Sequence, residues 1–342
     1  MILVIGVART AKTTLAGTVI QAVTPVWWLR GKDGRIRAVL DLRDPALKRV
    51  FVLMLPITLG VGLINFNLVI NTFFASRYVD PTLAPSAIDA AFRIYMLPQG
   101  IFSVAVATVL FPRLSRLAAR NDVVGFRETV SLGLRQIGFL LLPASAVGAV
   151  LAVPIVRLLY QRGAFDADQT QVVAGAFAAF ALGLTFNGTM LMLNRAFFSL
   201  QSAWVPTAIA LGNLALNVVL NAALYRVGVW GIPLATSIVN IAGTAALLVL
   251  FRRRLGRIDG RALVSSYLRI GVAAAGAAGV AFGVWYGLDE LFGRSLGAQV
   301  ASVGVGVLAG AAAYLGLAAL LRVRELQTLL SLRRRSATTS EE

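Results

Sequence analysis

The sequence predicts an all-α polytopic membrane helix bundle, with eight clear transmembrane helices and a ninth, weaker one. Three observations carry this reading. Of 342 residues, 58% are hydrophobic and 14% charged. Ordinary soluble domains run at roughly 45–50% apolar and about 25% charged, so the surplus apolar surface needs a solvent other than water. The apolar residues gather into long runs, and a hydrocarbon core of about 30 Å takes about 20 helical residues to cross. The basic residues fall in short segments between the runs, mostly in every second one.

In chain order the spans are Val50–Ser76, Ala87–Leu110, Leu134–Leu159, Val172–Leu200, Pro206–Tyr225, Ile232–Phe251, Leu268–Leu288 and Ala298–Leu321. Each mixes Gly, Ala, Ser and Thr into the apolar run. Such residues let helices approach closely in lipid, where no water-driven force holds them together. No segment shows the strict alternation of a transmembrane barrel strand. Thr13–Leu29 reads as the weak extra span: it is short, carries Thr13, Thr14, Thr18 and Gln21, and leaves Arg9 and Lys12 on the outer side. A signal sequence would want a small-residue cleavage site before the basic stretch from Arg30 to Lys48, and none stands out. Arg35–Val50 alternates charged and apolar residues around Pro45 and predicts a helix lying on the cytoplasmic face. The predicted organisation is a first segment over 1–49, a six-helix lobe over 50–251, two further helices over 252–322, and a tail over 323–342, disordered beyond Arg335.

Lys and Arg are retained in cytoplasmic loops, which fixes the expected orientation. With both ends of the eight-span block inside, the inner segments hold 24 basic residues and the outer segments five, namely Arg77, Arg157, Arg162, Arg226 and Arg294. The net charge of +17 is therefore a topology signal, not a nucleic-acid footprint, and its expected partners are anionic membrane lipids. Histidine and cysteine are both absent, which removes imidazole bases, thiolate nucleophiles and the usual zinc sites. The carboxylates fall in loops, helix ends or the tail, with Asp89 at the start of a span the nearest to an intramembrane acid. No acid/base pair or metal cluster supports catalysis, so the chain is not expected to be an enzyme.

Arg93 is the charge that stands inside a span. An arginine within hydrocarbon costs at least about 2.5–3.5 kcal/mol on insertion scales, so it belongs against protein or a water-filled cavity. There its planar fork of five donors suits a phosphate or carboxylate. The alternative is a side chain that snorkels to the outer interface about one turn away. Pro98 and Gly100 follow and should open the backbone ladder, a feature of cavity-lining transport helices.

The run Arg93-Ile94-Tyr95-Met96-Leu97-Pro98-Gln99-Gly100-Ile101-Phe102, with Ala105, Ala107-Thr108 and Pro112-Arg113-Leu114-Ser115 behind it, resembles the signature region of the MurJ (MviN) lipid II flippases. Further matching segments follow the same order: Asp41-Leu42-Arg43-Asp44-Pro45, Leu55-Pro56-Ile57-Thr58-Leu59-Gly60, Asn71-Thr72-Phe73-Phe74-Ala75-Ser76-Arg77, Arg162-Gly163-Ala164-Phe165, Arg195-Ala196-Phe197-Phe198 and Asn217-Val218-Val219-Leu220-Asn221. The resemblance covers about Asp41 to Arg254. It implies a member of the multidrug/oligosaccharidyl-lipid/polysaccharide exporter superfamily that moves an undecaprenyl-pyrophosphate-linked peptidoglycan precursor from the inner to the outer leaflet of the bacterial plasma membrane.

Family members resemble two six-helix lobes followed by two helices. On that plan the chain starts at the last helix of the first lobe, and the resemblance implies a truncated or split transporter whose first lobe comes from a separate chain. It also implies that Arg93 is the second lobe's cavity arginine, gripping the pyrophosphate. Family members often flank this arginine with acidic residues, whereas its neighbours here are Phe92 and Met96. Some relatives bind a sodium ion at positions that Asn71, Asn217 and Asn221 resemble, but with carboxylates at two of these places. Two readings of the three asparagines stand, a cation site or interhelical hydrogen bonds worth about 0.6 kcal/mol each. The glycine-rich final spans either pack tightly or line a groove for the polyprenyl tail. Arg195 reads as a cytoplasmic anchor. Export of another polyprenyl-linked glycan, or a non-transporting membrane scaffold, are the competing functions.

Overall fold

A computed structural model describes residues 17–19, 21, 23–24, 45–163, 165–256, 260–293, 295–323 and 325–326. The weak span at Thr13–Leu29, the interfacial helix at Arg35–Val50 and the tail beyond Arg335 lie wholly or largely outside the described residues. The chain divides into two compact units, residues 1–51 and 52–342. The first contributes short helical stretches at 17–19, 21 and 23–24 and the opening turns of helix α1. The second is a bundle with no strand among the described residues.

Helix α1 (Pro45–Phe74) opens on a proline, whose fixed φ and missing N–H suit a first helical turn. It widens into a π-helical turn, Ala75–Val79, closed by the Asp80 N–H on the Ala75 carbonyl at 3.1 Å. Asp80 then organises the next start. Its Oδ1 accepts the Leu83 and Thr82 N–H groups and the Thr82 hydroxyl, each at 2.8 Å. These bonds, the Leu83 N–H first, hold its carboxyl below the ordinary aspartate range. Helix α2 (Ala84–Pro98) passes through a π-helical segment, Gln99–Val104, into α3 (Ala105–Ala119) as one crossing. The ladder opens directly after Pro98, as its missing donor demands.

The third crossing departs from expectation. Instead of Leu134–Leu159, helix α4 runs Val123–Val150, breaks at Leu151, and restarts as the short α5 (Ala152–Tyr160). Asp122 caps the early start by accepting the Gly125 N–H at 2.9 Å. The break has its cause in Pro154, whose ring would clash with the carbonyl four residues back in a continuous helix. Helices α6 (Ala167–Ser199), α7 (Trp204–Leu224), α8 (Gly231–Leu255), α9 (Gly260–Phe292) and α10 (Leu296–Leu320) complete the bundle. Among the described residues, eight crossings are long and apolar enough to span a membrane, matching the eight clear spans that the sequence predicts; the weak ninth lies largely outside the described residues.

Helix α6 is the most buried crossing and the centre of the main core, with Val173, Phe177, Phe180, Leu184, Met192 and Phe197 all buried. It meets α8 at small residues. A Cβ added to Gly183 would lie 2.6 Å from Ser237 Oγ and 2.7 Å from Ser237 Cα, while Ser237 Oγ donates to the Ala179 carbonyl at 2.7 Å. A second core joins α4 to the final pair through Phe139, Ile270, Ala277 and Tyr314. Two tyrosines bridge it, Tyr314 donating to the Phe139 carbonyl at 2.6 Å and Tyr267 to the Leu134 carbonyl at 2.8 Å. Within the pair, Gly310 faces Ala281 so closely that an added Cβ would sit 2.8 Å from the alanine methyl. Other glycines of these helices, among them Gly271, Gly279, Gly283, Gly304 and Gly316, face open space. Tight packing thus accounts for one side of the pair and not the other.

Candidate functional site

Arg93 lies nine residues into α2, about 13 Å along the axis from Ala84 at 1.5 Å per residue. The opposite face of α2 (Ala87, Ala91, Ile94, Tyr95) is buried against the bundle, and Tyr95 is fixed by the Asn187 amide donating to its hydroxyl at 2.6 Å. This packing orients α2 so that Asp89, Arg93, Met96 and Leu97 share the exposed face, with Ile101 of the following π-helical segment exposed as well. Arg93 Nε donates to Asp89 Oδ2 at 2.9 Å, with the two side chains 71% and 60% exposed. The guanidinium therefore leans one turn toward the start of the helix. Its terminal nitrogens make no bond among the described residues, and it lines neither of the two cavities described below.

Asp89 is the acidic partner that its immediate sequence neighbours do not supply. The i,i+4 spacing on a helix was the signal for it, obscured because Phe92 and Met96 flank the arginine in sequence but not in space.

The three asparagines do converge. Asn221 and Asn217 are one turn apart on α7 and fully buried, and Asn71 on α1 is 8% exposed. Asn221 Nδ2 donates to Asn71 Oδ1 at 2.8 Å and to Asn217 Oδ1 at 2.9 Å. Asn71 Nδ2 reaches Thr236 Oγ1 of α8 at 3.4 Å, a member that no spacing argument within one helix would find. A hard cation needs several oxygens turned to a common point and carboxylate to offset its charge. Here both protons of one amide occupy the oxygens of the other two, and all three groups are neutral. The donor set fits a hydrogen-bonded clamp and does not fit a sodium ion. Among the described residues, Asn217 Nδ2 and Asn221 Oδ1 have no hydrogen-bond partner.

Arg195, near the end of α6, places its guanidinium carbon 5.5 Å from the centre of the Phe111 ring, a cation–π contact that suits an anchor. Two cavities accompany these features. One of about 290 Å³ opens between the start of α2 and the start of α6, lined by Thr82, Ser86, Phe165 and Gln169 among others. A smaller one of about 80 Å³ lies between α4 and α9.

Comparison with known proteins gives the fold its relatives. Residues 3–303 match the family model described as lipid II flippase MurJ. A probable lipid II flippase MurJ from Synechocystis is 31% identical over 248 residues, 72% of this chain and 46% of that protein. Another from Bdellovibrio bacteriovorus is 28% identical over 316 residues, 92% of this chain and 60% of that protein. A solved lipid II flippase MurJ in an inward closed conformation superposes with a TM-score of 0.65 at 24% identity, over 83% of this chain and 56% of that one, a likeness of fold. The chain thus spans about half the length of the curated relatives it matches. With a family model matched over most of its residues, this multi-pass membrane protein belongs to the lipid II flippase MurJ family.

Proposed function

We propose that the chain forms the second lobe and final helix pair of a flippase in the bacterial plasma membrane, that its substrate is an undecaprenyl-diphosphate-linked peptidoglycan precursor, and that Arg93 takes the diphosphate. One observation carries the reading: a guanidinium well inside an apolar crossing that, among the described residues, is held only by a carboxylate on its own helix, with its terminal nitrogens unspent. Lipid against that face would cost about 2.5–3.5 kcal/mol unless the guanidinium snorkels past Asp89 to the outer interface, so the reading needs a polar neighbour on this face. A complementary lobe enclosing a water-filled cavity supplies one. An exposed carboxylate–guanidinium pair is worth about 0–1 kcal/mol. Asp89 therefore keeps the fork ordered yet yields to a diphosphate, which carries more charge and accepts two parallel hydrogen bonds.

The remaining parts follow from this placement. The arginine-rich loops lie on the cytoplasmic side. The two lobes rock about the site, so that the charged head crosses without meeting hydrocarbon while the polyprenyl tail stays in lipid. The asparagine clamp joins α1, α7 and α8 without a sodium ion.

The test is complementation of flippase loss with Arg93 variants placed in the full two-lobe context. Arg93→Ala abolishes rescue at normal expression, and Arg93→Lys, which keeps charge but loses the fork, gives partial rescue. Normal growth with Arg93→Ala would remove the assigned role. Competition between lipid II and another polyprenyl-linked glycan for the purified protein decides between the two substrates.

A further inference from the structure

The small cavity between α4 and α9 sits at the arginine-rich end of the bundle and is lined by Arg135, Ala262, Ser265, Ser266, Arg269 and Val323. Glu325, on the segment after α10, reaches two of these lining residues. Its Oε1 accepts the Ser266 hydroxyl at 2.9 Å and stands 3.6 Å from Arg135 Nε. That second distance is too long for a hydrogen bond, and both Arg135 Nε and the buried Glu325 Oε2 are left without a hydrogen-bond partner. The Glu325 side chain is 4% exposed. The terminal nitrogens of Arg135 and the whole Arg269 guanidinium make no hydrogen bond or ion pair among the described residues. One carboxylate, beside Arg135 and Ser266, thus stands next to a cavity that two guanidiniums line, and among the described residues the site keeps a surplus positive charge with donors to spare. Its volume of about 80 Å³ is several times the roughly 10–15 Å³ that a single water requires.

We propose that this cavity binds a phosphate group, and that the phosphate is the headgroup of an anionic phospholipid. Arg269 and the free edge of Arg135 grip its oxygens in the manner of guanidinium forks, the Ser265 hydroxyl adds a donor, and Glu325 holds Arg135 in place through its other edge. Basic pockets between membrane helices at the headgroup level recognise such lipids. The surroundings favour a lipid over a free ion. Val264, Leu268 and Val272 are 59%, 66% and 63% exposed and follow one another at i, i+4 and i+8 on the face of α9 that carries Ser265 and Arg269. They form an apolar track leading from the cavity along the helix, where an acyl chain would lie. The proposal is independent of the role given to Arg93.

Native mass spectrometry of the purified chain, titrated with phosphatidylglycerol and separately with phosphatidylcholine, tests it. The wild type retains phosphatidylglycerol preferentially. Arg269→Ala lowers that retention by about ten-fold, the loss of one charged hydrogen-bonding partner, and Arg269→Ala with Arg135→Gln lowers it further. Arg116→Ala, which removes an exposed arginine of α3 far along the chain from the cavity, changes it less than two-fold. Arg269 is exposed, so its variant folds and keeps the proposal testable if the Arg135 variant does not. Equal losses for Arg269→Ala and Arg116→Ala, or no loss for either, overturn the site. Inorganic phosphate that raises the melting temperature of the wild type but not of Arg269→Ala, with no preference between the lipids, supports a phosphate site and assigns it to a soluble ion.

Discussion

Arg93 is held by a partner that holds it weakly. At 71% and 60% side-chain exposure, the Arg93–Asp89 pair is screened by solvent, and its Coulombic worth is small. Asp89→Asn should therefore change the melting stability by less than about 0.5 kcal/mol. If Asp89 instead orders the fork for the diphosphate, the same variant weakens substrate binding without unfolding the protein. A thermal melt beside a binding titration separates the two effects, and a large stability loss would mean that the pair is structural. The residue type and depth of Arg93 were legible in the sequence because an arginine inside an apolar run has few inexpensive explanations. Its orientation was not, because the face of α2 turned outward depends on what Ala87, Ala91 and Tyr95 pack against.

At the scale of elements, the bundle is joined by amides, hydroxyls and close glycine contacts where a soluble protein would rely on burial of large apolar groups. The asparagine clamp ties α7 to α1 directly and reaches α8 through Thr236. Asn221→Leu leaves the oxygens of Asn71 and Asn217 without their donor, and the melt should lose about 1–2 kcal/mol. Melting of the wild type should be the same in sodium and potassium chloride at equal ionic strength. A rise specific to sodium, lost in Asn221→Leu, would restore the cation reading. The spacing of Asn217 and Asn221 put both on one helix face, and the family resemblance brought Asn71 to them. Thr236 was invisible because its contact depends on how α8 crosses α7. The break between α4 and α5 was legible in Pro154, but a continuous apolar run outweighed it.

Over the whole molecule, the final helix pair rests on α4 at one end and is tied to α5 at the other. Arg157 of α5 donates to both oxygens of Asp289 on α9 at 3.4 Å, with side chains 12% and 15% exposed and its guanidinium carbon 5.8 Å from the Trp285 ring. Removing one partner of so enclosed a pair strands the other charge. Arg157→Gln should destabilise by about 2–4 kcal/mol and Asp289→Asn by a similar amount, with the double variant costing less than their sum. Strict additivity in a double-mutant cycle would mean that the pair contributes nothing. The eight crossings and the all-helical class were legible because hydrocarbon demands long apolar helices, whatever their neighbours. The arrangement of those helices was not, since it is decided by small-residue contacts such as Gly183 with Ser237.

The most direct measurement is equilibrium binding of a short-chain prenyl diphosphate to the purified protein in lipid nanodiscs, compared across wild type, Arg93→Lys and Arg93→Ala. The account predicts that Arg93→Ala weakens binding by about ten-fold or more, with Arg93→Lys between the two and the prenyl monophosphate bound less well by the wild type. Equal affinity in wild type and Arg93→Ala would contradict it.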